Sequence, residues 1–447
     1  MRLWAAQQRS ERKFLFFSYF DFALILANIN VELFFLARAS EDELFAAVSL
    51  IPLIGVLFNL IRIWGNNSLI QMSSAGADEG EASSDHIAVQ LAASAIFGLA
   101  LSAVLPIAFL LHSLVYSFDA TQLKAAWSYV LILALGYVPY AMRFVLHAHH
   151  TAVDAAHWNV MLSLVQLGSM ALFATIQLYG FAETFAIENV ALSILGSWIC
   201  TTVIGLLLAK TKIEFSYLSF NAIRRVFARS LRATLPALPE PMSYQAFQFV
   251  IIAVLAQDSQ DNVIAFQFNV SLLMFISAGY VSFSNLLTRE VVKRIARRSL
   301  KQAAQKHREL LLQCLAFSII AGLAVLTFFS VALSAYGFTP SVATVASDII
   351  VACVAIECLR AVNFQLVFFL RAFFLNGFLS IVSVSLNLAS AFALVSLAEV
   401  DPSLAMLSVL IVISVEELIR IGVLSLRIRA IRRQFGSHYR HFCRFTK

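Results

Sequence analysis

Ionisable and amide side chains stand inside the longest apolar runs of this chain. Asp21, Asn28 and Glu32 follow one another at i, i+7 and i+11 within a run reaching from Phe14 to Ala37. A helix returns those three positions to nearly one azimuth, so they form a single polar stripe. A carboxylate in such a stripe can take up H+ or Na+ and give it back as its surroundings alternate between dry and wet. It can equally be a polar cap at the end of a helix. Asn59, Arg62 and Asn66 recur at i, i+3 and i+7 in the next run, beside Asn67. Arg62 at that depth needs a negative partner, which either Glu32 or an anionic ligand group would supply. Later in the chain Glu357 and Arg360 are three apart, and Glu416 and Glu417 precede Arg420 by four and three. That spacing suits ion pairs along one helix. Gln166, with Asn159, Ser163 and Gln177, and Gln267, with Asn269 and Ser271, add groups that join helices or line a cleft.

The elements that hold these residues follow from composition. Of 447 residues 60% are hydrophobic and only 13% charged, against roughly 45–50% and about 25% in soluble domains. A water-soluble globule of this length could not cover itself with so few charges. Disordered, collagen-like, disulfide-scaffold and coiled-coil classes fall with it. Lipid offers backbone groups no partners, so the runs must be helices or closed barrel strands. They are too long and too continuous for strands, which span in ~10 residues of alternating polarity. The expected fold is an all-α polytopic membrane protein with twelve transmembrane helices near 14–37, 45–72, 86–115, 123–146, 158–180, 186–209, 233–257, 262–289, 310–336, 346–371, 374–398 and 404–427. The first run is longer than a signal-peptide core and no small-residue cleavage site follows, so it reads as a retained span. Pro236, Pro239 and Pro241 kink or delay the start of the seventh.

Lysine and arginine orient the spans. With the N-terminus in the cytoplasm, 27 of the 32 basic residues lie in cytoplasmic segments and only Arg38 and Lys124 outside. Both termini are therefore expected to be cytoplasmic. Acidic Asp78, Glu79, Glu81 and Asp85 count little in that rule. The chain also repeats itself. Residues 37–46, ARASEDELFA, resemble 256–265, AQDSQDNVIA, and 166–169, QLGS, resemble 387–390, NLAS, at near-constant offsets of 219 and 221. The expected layout is an N-lobe at 1–209, a basic connector at 210–232, a C-lobe at 233–427 and a basic tail at 428–447. Six spans is an even number, so two such halves are expected to be related by a pseudo-two-fold axis along the membrane normal, with a cleft between them.

Other chemistries are poorly served. Cys200, Cys314, Cys353 and Cys358 lie in apolar runs and Cys443 in the tail, with no metal-ligand spacing, so inert thiols are expected. His147, His149, His150 and His157 cluster at a cytoplasmic helix end without a second histidine box, which suits the helix dipole better than a metal. No phosphate-binding glycine loop is present, so ATP-driven work by this chain alone is not expected. The basic excess reads as topology, with membrane lipids and not nucleic acid as the partner. No metal or organic cofactor is implied.

Several short motifs carry a resemblance. Ser74-Ala-Gly-Ala-Asp-Glu-Gly-Glu-Ala82, after the second span, resembles the Gly-Ala-Gly-Asp…Glu-Ala loop of multidrug and toxic compound extrusion (MATE) transporters, within the wider multidrug/oligosaccharidyl-lipid/polysaccharide flippase superfamily. Val31-Glu32 followed by Leu44-Phe-Ala-Ala47 is similar to their first-helix Val-Asp and Leu-Ala-Ala. Leu235-Pro236 and Leu370-Arg371 match as well. The sequence departs at Leu36-Ala-Arg-Ala-Ser40, where the family has Val-Gly-x-Leu-Gly. The resemblance implies a monomeric, non-enzymatic secondary transporter of a bacterial inner (plasma) membrane. It would export an amphipathic small molecule by alternating access, coupled to H+ or Na+ entry. The family's first-helix acid maps to Glu32, with Asp21 and Asn28 on its stripe. The seventh-helix Glu of bacterial members falls near Tyr244 or Gln245, and the tenth-helix Asp near Arg360. The expected cleft is thus Arg62, Asn59, Asn66, Gln166, Tyr244, Gln245, Gln267, Glu357 and Arg360. A flippase for a lipid-linked glycan or other anionic lipid-linked precursor is the alternative, favoured by the three in-span arginines. A membrane enzyme is the third reading, and the lone histidine cluster argues against it. The basic bias makes one outcome measurable: single cysteines at 181–185 should label from outside the cell and those at 215–225 should not.

Overall fold

The computed structural model describes residues 2–75, 87–114, 118–152, 157–180, 185–209, 213, 216, 218–296, 299–373 and 375–433. Asp78, Glu79, Glu81, Asp85, most of the 74–82 motif and residues 434–447 of the tail lie outside the described residues. Among those described there are no strands. Fourteen α-helices follow in order: α1 (Arg2–Leu36), α2 (Glu41–Ser49), α3 (Ile51–Ala75), α4 (Ile87–Ser113), α5 (Ala120–Ala152), α6 (His157–Gly180), α7 (Ile187–Ala209), α8 (Phe220–Thr234), α9 (Pro239–Asp258), α10 (Gln260–Ala296), α11 (Leu300–Tyr336), α12 (Pro340–Arg371), α13 (Asn376–Val400) and α14 (Ala405–Arg433). Nine of the described helices are long and apolar enough to cross a membrane, and α2 with α3 make a tenth such stretch. α9 and α14 complete the twelve. The second of these carries Glu416, Glu417 and Arg420, whose charges dilute its apolar run.

The second span departs from the unbroken helix expected at 45–72. It bends by 41° between α2 and α3. Pro52, the second residue of α3, has no N–H to return to α2, so the ladder cannot run through. α2 begins on a capping box, Ser40 Oγ accepting from the Glu43 N–H at 3.3 Å and the Ser40 N–H donating to the Glu43 carboxylate at 3.4 Å, which satisfies two orphan groups of the first turn. The prolines delay the seventh span as expected: Leu235–Ala237 is a 3-10 turn and α9 starts on Pro239, where a missing N–H costs nothing. α10 and α11 run on to Ala296 and back from Leu300, well beyond the expected ends at 289 and 310. Leu287, Val291, Ala303, Leu310 and Phe369 make a buried cluster there, so that end is held by packing and not by lipid.

The chain forms two compact units, Ala27–Phe249 and Met1–Leu26 with Val250–Lys447. These boundaries differ from the lobes read off hydropathy. Hydropathy marks where apolar runs pause, whereas packing marks which helices hold one another. The first part of α1 belongs to the second unit, with Tyr19 edge-on to Phe317 and Ser18 Oγ donating to Ser282 Oγ at 3.3 Å. The connector 210–232 contains a helix, α8, which packs on α3 and α4.

Within each unit the helices pair in one pattern. In the first, α4 packs on α5, α3 on α5, α5 on α7 and α6 on α7. In the second, α11 packs on α12, α10 on α12, α12 on α14 and α13 on α14. Counted as spans, these are the same four pairs, so the faint sequence repeat has a structural counterpart. α5 and α12 are the hubs. Helix association in lipid relies on close approach and interhelical hydrogen bonds, and α4–α5 shows both. Ser102 Oγ donates to the Ala134 carbonyl at 2.5 Å, and a Cβ added at Gly98 would lie 2.6 Å from the Tyr137 carbonyl oxygen and 2.8 Å from Val138 Cα. Backbone cannot step aside as a side chain can. Gly98→Ala should therefore lower stability by about 1–3 kcal/mol in a detergent melt, whereas Gly168→Ala, which meets nothing within 4 Å, should be neutral or slightly stabilising.

Candidate functional site

In the unit Ala27–Phe249, Glu32 accepts a hydrogen bond from Tyr129 Oη of α5. Glu32 is half-buried, and Asn28, one turn away, is buried. Asp21 is also buried, but it sits on the part of α1 that belongs to the other unit. Tyr129 opens a row on α5 that sequence reasoning missed. Tyr137 and Tyr140 follow it at i+8 and i+11, within about 80° of one face at 100° per residue. Glu32 acts electrostatically on both hydroxyls. Phe58 of α3 and Trp198 of α7 close the cluster, with Phe58–Tyr140 and Tyr140–Trp198 centroids at 4.9 and 4.6 Å. The spacing of the three tyrosines was the available signal.

α3 presents its polar stripe beside this wall. Gly55, Asn59, Arg62 and Asn66 fall at i, i+4, i+7 and i+11. Arg62 and Asn66 are exposed, Asn59 half-buried. Arg62 and Arg143 both act on the Tyr140 hydroxyl, and Arg143 Nη2 donates to Ser163 Oγ at 3.2 Å. A Cβ on Gly55 would fall 2.8 Å from Gln245 Oε1, so the glycine lets the Gln245 carboxamide of α9 lie against the face that carries Asn59. Tyr244 is exposed at 38%. Gln166 of α6 is buried, and its Oε1 finds no hydrogen-bond donor among the described residues. The structure thus brings Glu32, Asn59, Arg62, Gln166 and Gln245 into one unit, around aromatic side chains.

The other unit contains a different device. Arg360 Nη1 donates to Glu357 Oε1 at 2.6 Å and Arg360 Nε to Glu417 Oε1 at 3.2 Å. Asn363 donates to the second Glu417 oxygen. Ser277 Oγ and Tyr280 Oη of α10 both donate to Glu357 Oε2 at 3.2 Å. On α14 Arg420 pairs with Glu416 and reaches Asn387 Oδ1 at 3.0 Å. Glu357 and Arg360 are therefore tied into a network joining α10, α12 and α14. Gln267 is buried on α10, near Asn269, whose Nδ2 donates to the Ala346 carbonyl at 2.9 Å. Among the described residues no group of three or more His, Cys, Asp or Glu could hold a metal ion. His150 is buried and His157 exposed.

No family model matches the chain, and no curated protein matches it in sequence. Solved structures do match its fold. The chain is similar to the inward-facing conformation of a multidrug resistance MATE family transporter of the MOP superfamily, with a TM-score of 0.73 at 14% identity over 92% of this chain and 96% of the other. It is similar to an outward-facing conformation of such a transporter, with a TM-score of 0.74 at 14% identity over 95% and 96%. A MOP superfamily transporter from Pyrococcus furiosus, described as having a binding pocket of reverse polarity that suggests a different function, matches at 0.73 and 13% identity over 94% and 96%. Identities this low establish fold, and the fold is that of the MATE transporters: an all-α, multi-pass membrane protein.

The buried network generates a stability test. Removing the half-buried Arg360 cation strands the buried Glu357 and Glu417 carboxylates, at a typical cost of about 3–5 kcal/mol for a broken buried pair. Arg360→Met should lower the thermal midpoint strongly, and adding Glu417→Gln should recover part of the loss. An unchanged midpoint in the single variant would show that the network contributes nothing.

Proposed function

We propose that this chain, which has the MATE transporter fold, is a secondary transporter that exports an amphipathic solute by alternating access, coupled to H+ or Na+ entry through Glu32. The observation that carries the reading is the pairing of Glu32 with the phenol of Tyr129. A neutral donor steadies a carboxylate without cancelling its charge, so the group remains able to exchange a cation. Asn28 lies one turn away with a second oxygen-bearing side chain. When a proton or Na+ occupies Glu32, the field it places on Tyr137 and Tyr140 changes, and these residues line the wall beside Arg62. That supplies a local link between ion occupancy and the groups that would meet a substrate. The inward- and outward-facing MATE transporter structures of similar fold support alternating access as the kind of motion involved.

The alternative is a flippase for a lipid-linked glycan or other anionic precursor, and one observation favours it. Arg62 is exposed within its unit and stands on a stripe with Asn59, Asn66 and the neighbouring Gln245. A guanidinium so placed suits a phosphate or diphosphate head group better than an organic cation. The Pyrococcus furiosus transporter of similar fold, described as having a binding pocket of reverse polarity that suggests a different function, supports weighing an anionic solute.

Two measurements test these readings. In proteoliposomes Glu32→Gln should insert normally, lose ion-driven transport and show no rate change across about pH 6–8, because the amide cannot titrate. Transport at the wild-type rate would leave Glu32 a structural polar group. Arg62→Ala should keep its thermal midpoint, because the side chain is exposed, and should lose affinity for anionic ligands by about tenfold or more. A fall of several kcal/mol in stability would instead make Arg62 the buried partner of Glu32.

A further inference from the structure

The connector helix α8 has three distinct sides. Its buried side is a regular stripe, Ala222, Val226, Ser230 and Thr234. That side is bolted to α3: Gln71 Nε2 donates to Ser230 Oγ and Asn67 Nδ2 to Thr234 Oγ1, each at 2.9 Å, while Phe227 lies 5.4 Å from the Trp64 ring. Gln90 of α4 extends the ladder by donating to Gln71 Oε1 at 3.0 Å. The second side is apolar and uncovered. Phe220 is 78% exposed, beside half-buried Ile223 and Leu231, and Leu218 and Leu235 extend the apolar surface past both ends of the helix. The third side carries Arg224, Arg225, Arg229 and Arg232, all exposed, and the helix contains no acidic residue.

Water alone does not account for that arrangement. A solvated helix would not hold a phenylalanine out beside four guanidiniums, and a buried helix would not hold out the guanidiniums. An apolar flank adjoining a cationic flank is the pattern of a helix lying in the membrane–water interface. The basic-residue bias assigns this segment to the cytoplasmic leaflet. Arginine presents a planar fork of donors that matches phosphate oxygens two at a time.

We propose that α8 is a docking surface for anionic phospholipids of that leaflet. Their headgroup phosphates lie against Arg224, Arg225 and Arg232, and their acyl chains run along Phe220 and Leu231. The complementarity of charge on one flank and hydrocarbon on the next selects a lipid over a free anion, which would satisfy only the first. The inference goes beyond the transport reading and holds whichever solute is carried. It also has a consequence for the polar stripe. The residues that anchor α8, Asn67 and Gln71, continue the helix that bears Asn59, Arg62 and Asn66, so a lipid seated on α8 steadies that helix from its inner end.

The test uses the full-length protein in nanodiscs of phosphatidylcholine, with and without a quarter of phosphatidylglycerol. Lipid retained on extraction is read by native mass spectrometry. Wild type should retain phosphatidylglycerol preferentially, and the preference should fall as salt rises from about 50 to about 500 mM. The triple variant Arg224→Gln, Arg225→Gln, Arg232→Gln should lose the preference about tenfold, while the matching triple lysine variant should keep most of it. Phe220→Ser should weaken retention of the lipid without changing the effect of added inorganic phosphate. Equal retention of phosphatidylglycerol in wild type and the glutamine variant would overturn the proposal. So would a wild-type preference insensitive to salt, a readout that does not depend on any variant folding. Displacement of the lipid by millimolar inorganic phosphate would overturn it too, by marking a free-anion site.

Discussion

Hydrocarbon offers nothing to hydrogen-bond, and the structure depends on that fact throughout. Every backbone group in a span must be satisfied by its own helix, and every polar side chain there must find a partner inside the protein or face water. Several pairs of the described helices are joined by side chains that meet this demand. Gln177 donates to Ser193 while Asn189 donates back to Gln177, which joins α6 to α7. Thr202 donates to the Pro139 carbonyl, which joins α7 to α5. Gln365 reaches Ser284 across α12 and α10. Such bonds replace the hydrophobic driving force that lipid cannot supply between helices.

The two units meet the constraint in different ways. In one, the carboxylate of Glu32 is met by a phenol and stands beside a wall of aromatic rings. In the other, Glu357, Glu416 and Glu417 are met by Arg360 and Arg420 and by asparagine and hydroxyl donors. A carboxylate facing a neutral donor keeps a charge that can change. Carboxylates locked to guanidiniums keep charges that are held, because neutralising either partner leaves the other buried and alone. This contrast supports placing ion exchange at Glu32 and assigning the network of α12 and α14 to holding its unit together. It also separates Glu357 and Arg360 from the exposed Arg62, although all three look alike as charges inside apolar runs.

Fold class, span number and the internal repeat were legible before any coordinate, because the first two follow from how much apolar surface the chain must bury and the third from resembling segments at near-constant offsets. So were the stripe on α3 and the pairing of Glu357 with Arg360 and of Glu416 with Arg420, since helical periodicity alone brings positions three, four and seven apart onto one face. Tertiary structure decided which face meets which neighbour. Glu32 lies near enough to Arg62 in span order to suggest a pair, yet the partner the structure provides is Tyr129, almost a hundred residues on. The tyrosine row of α5, the break at Pro52, the assignment of the first turns of α1 to the other unit and the three-sided character of α8 belong to the same class. Periodicity fixes azimuth within one helix, whereas contacts between helices depend on their rotation and depth relative to each other, and those are set only when every apolar face and every polar group is satisfied at once.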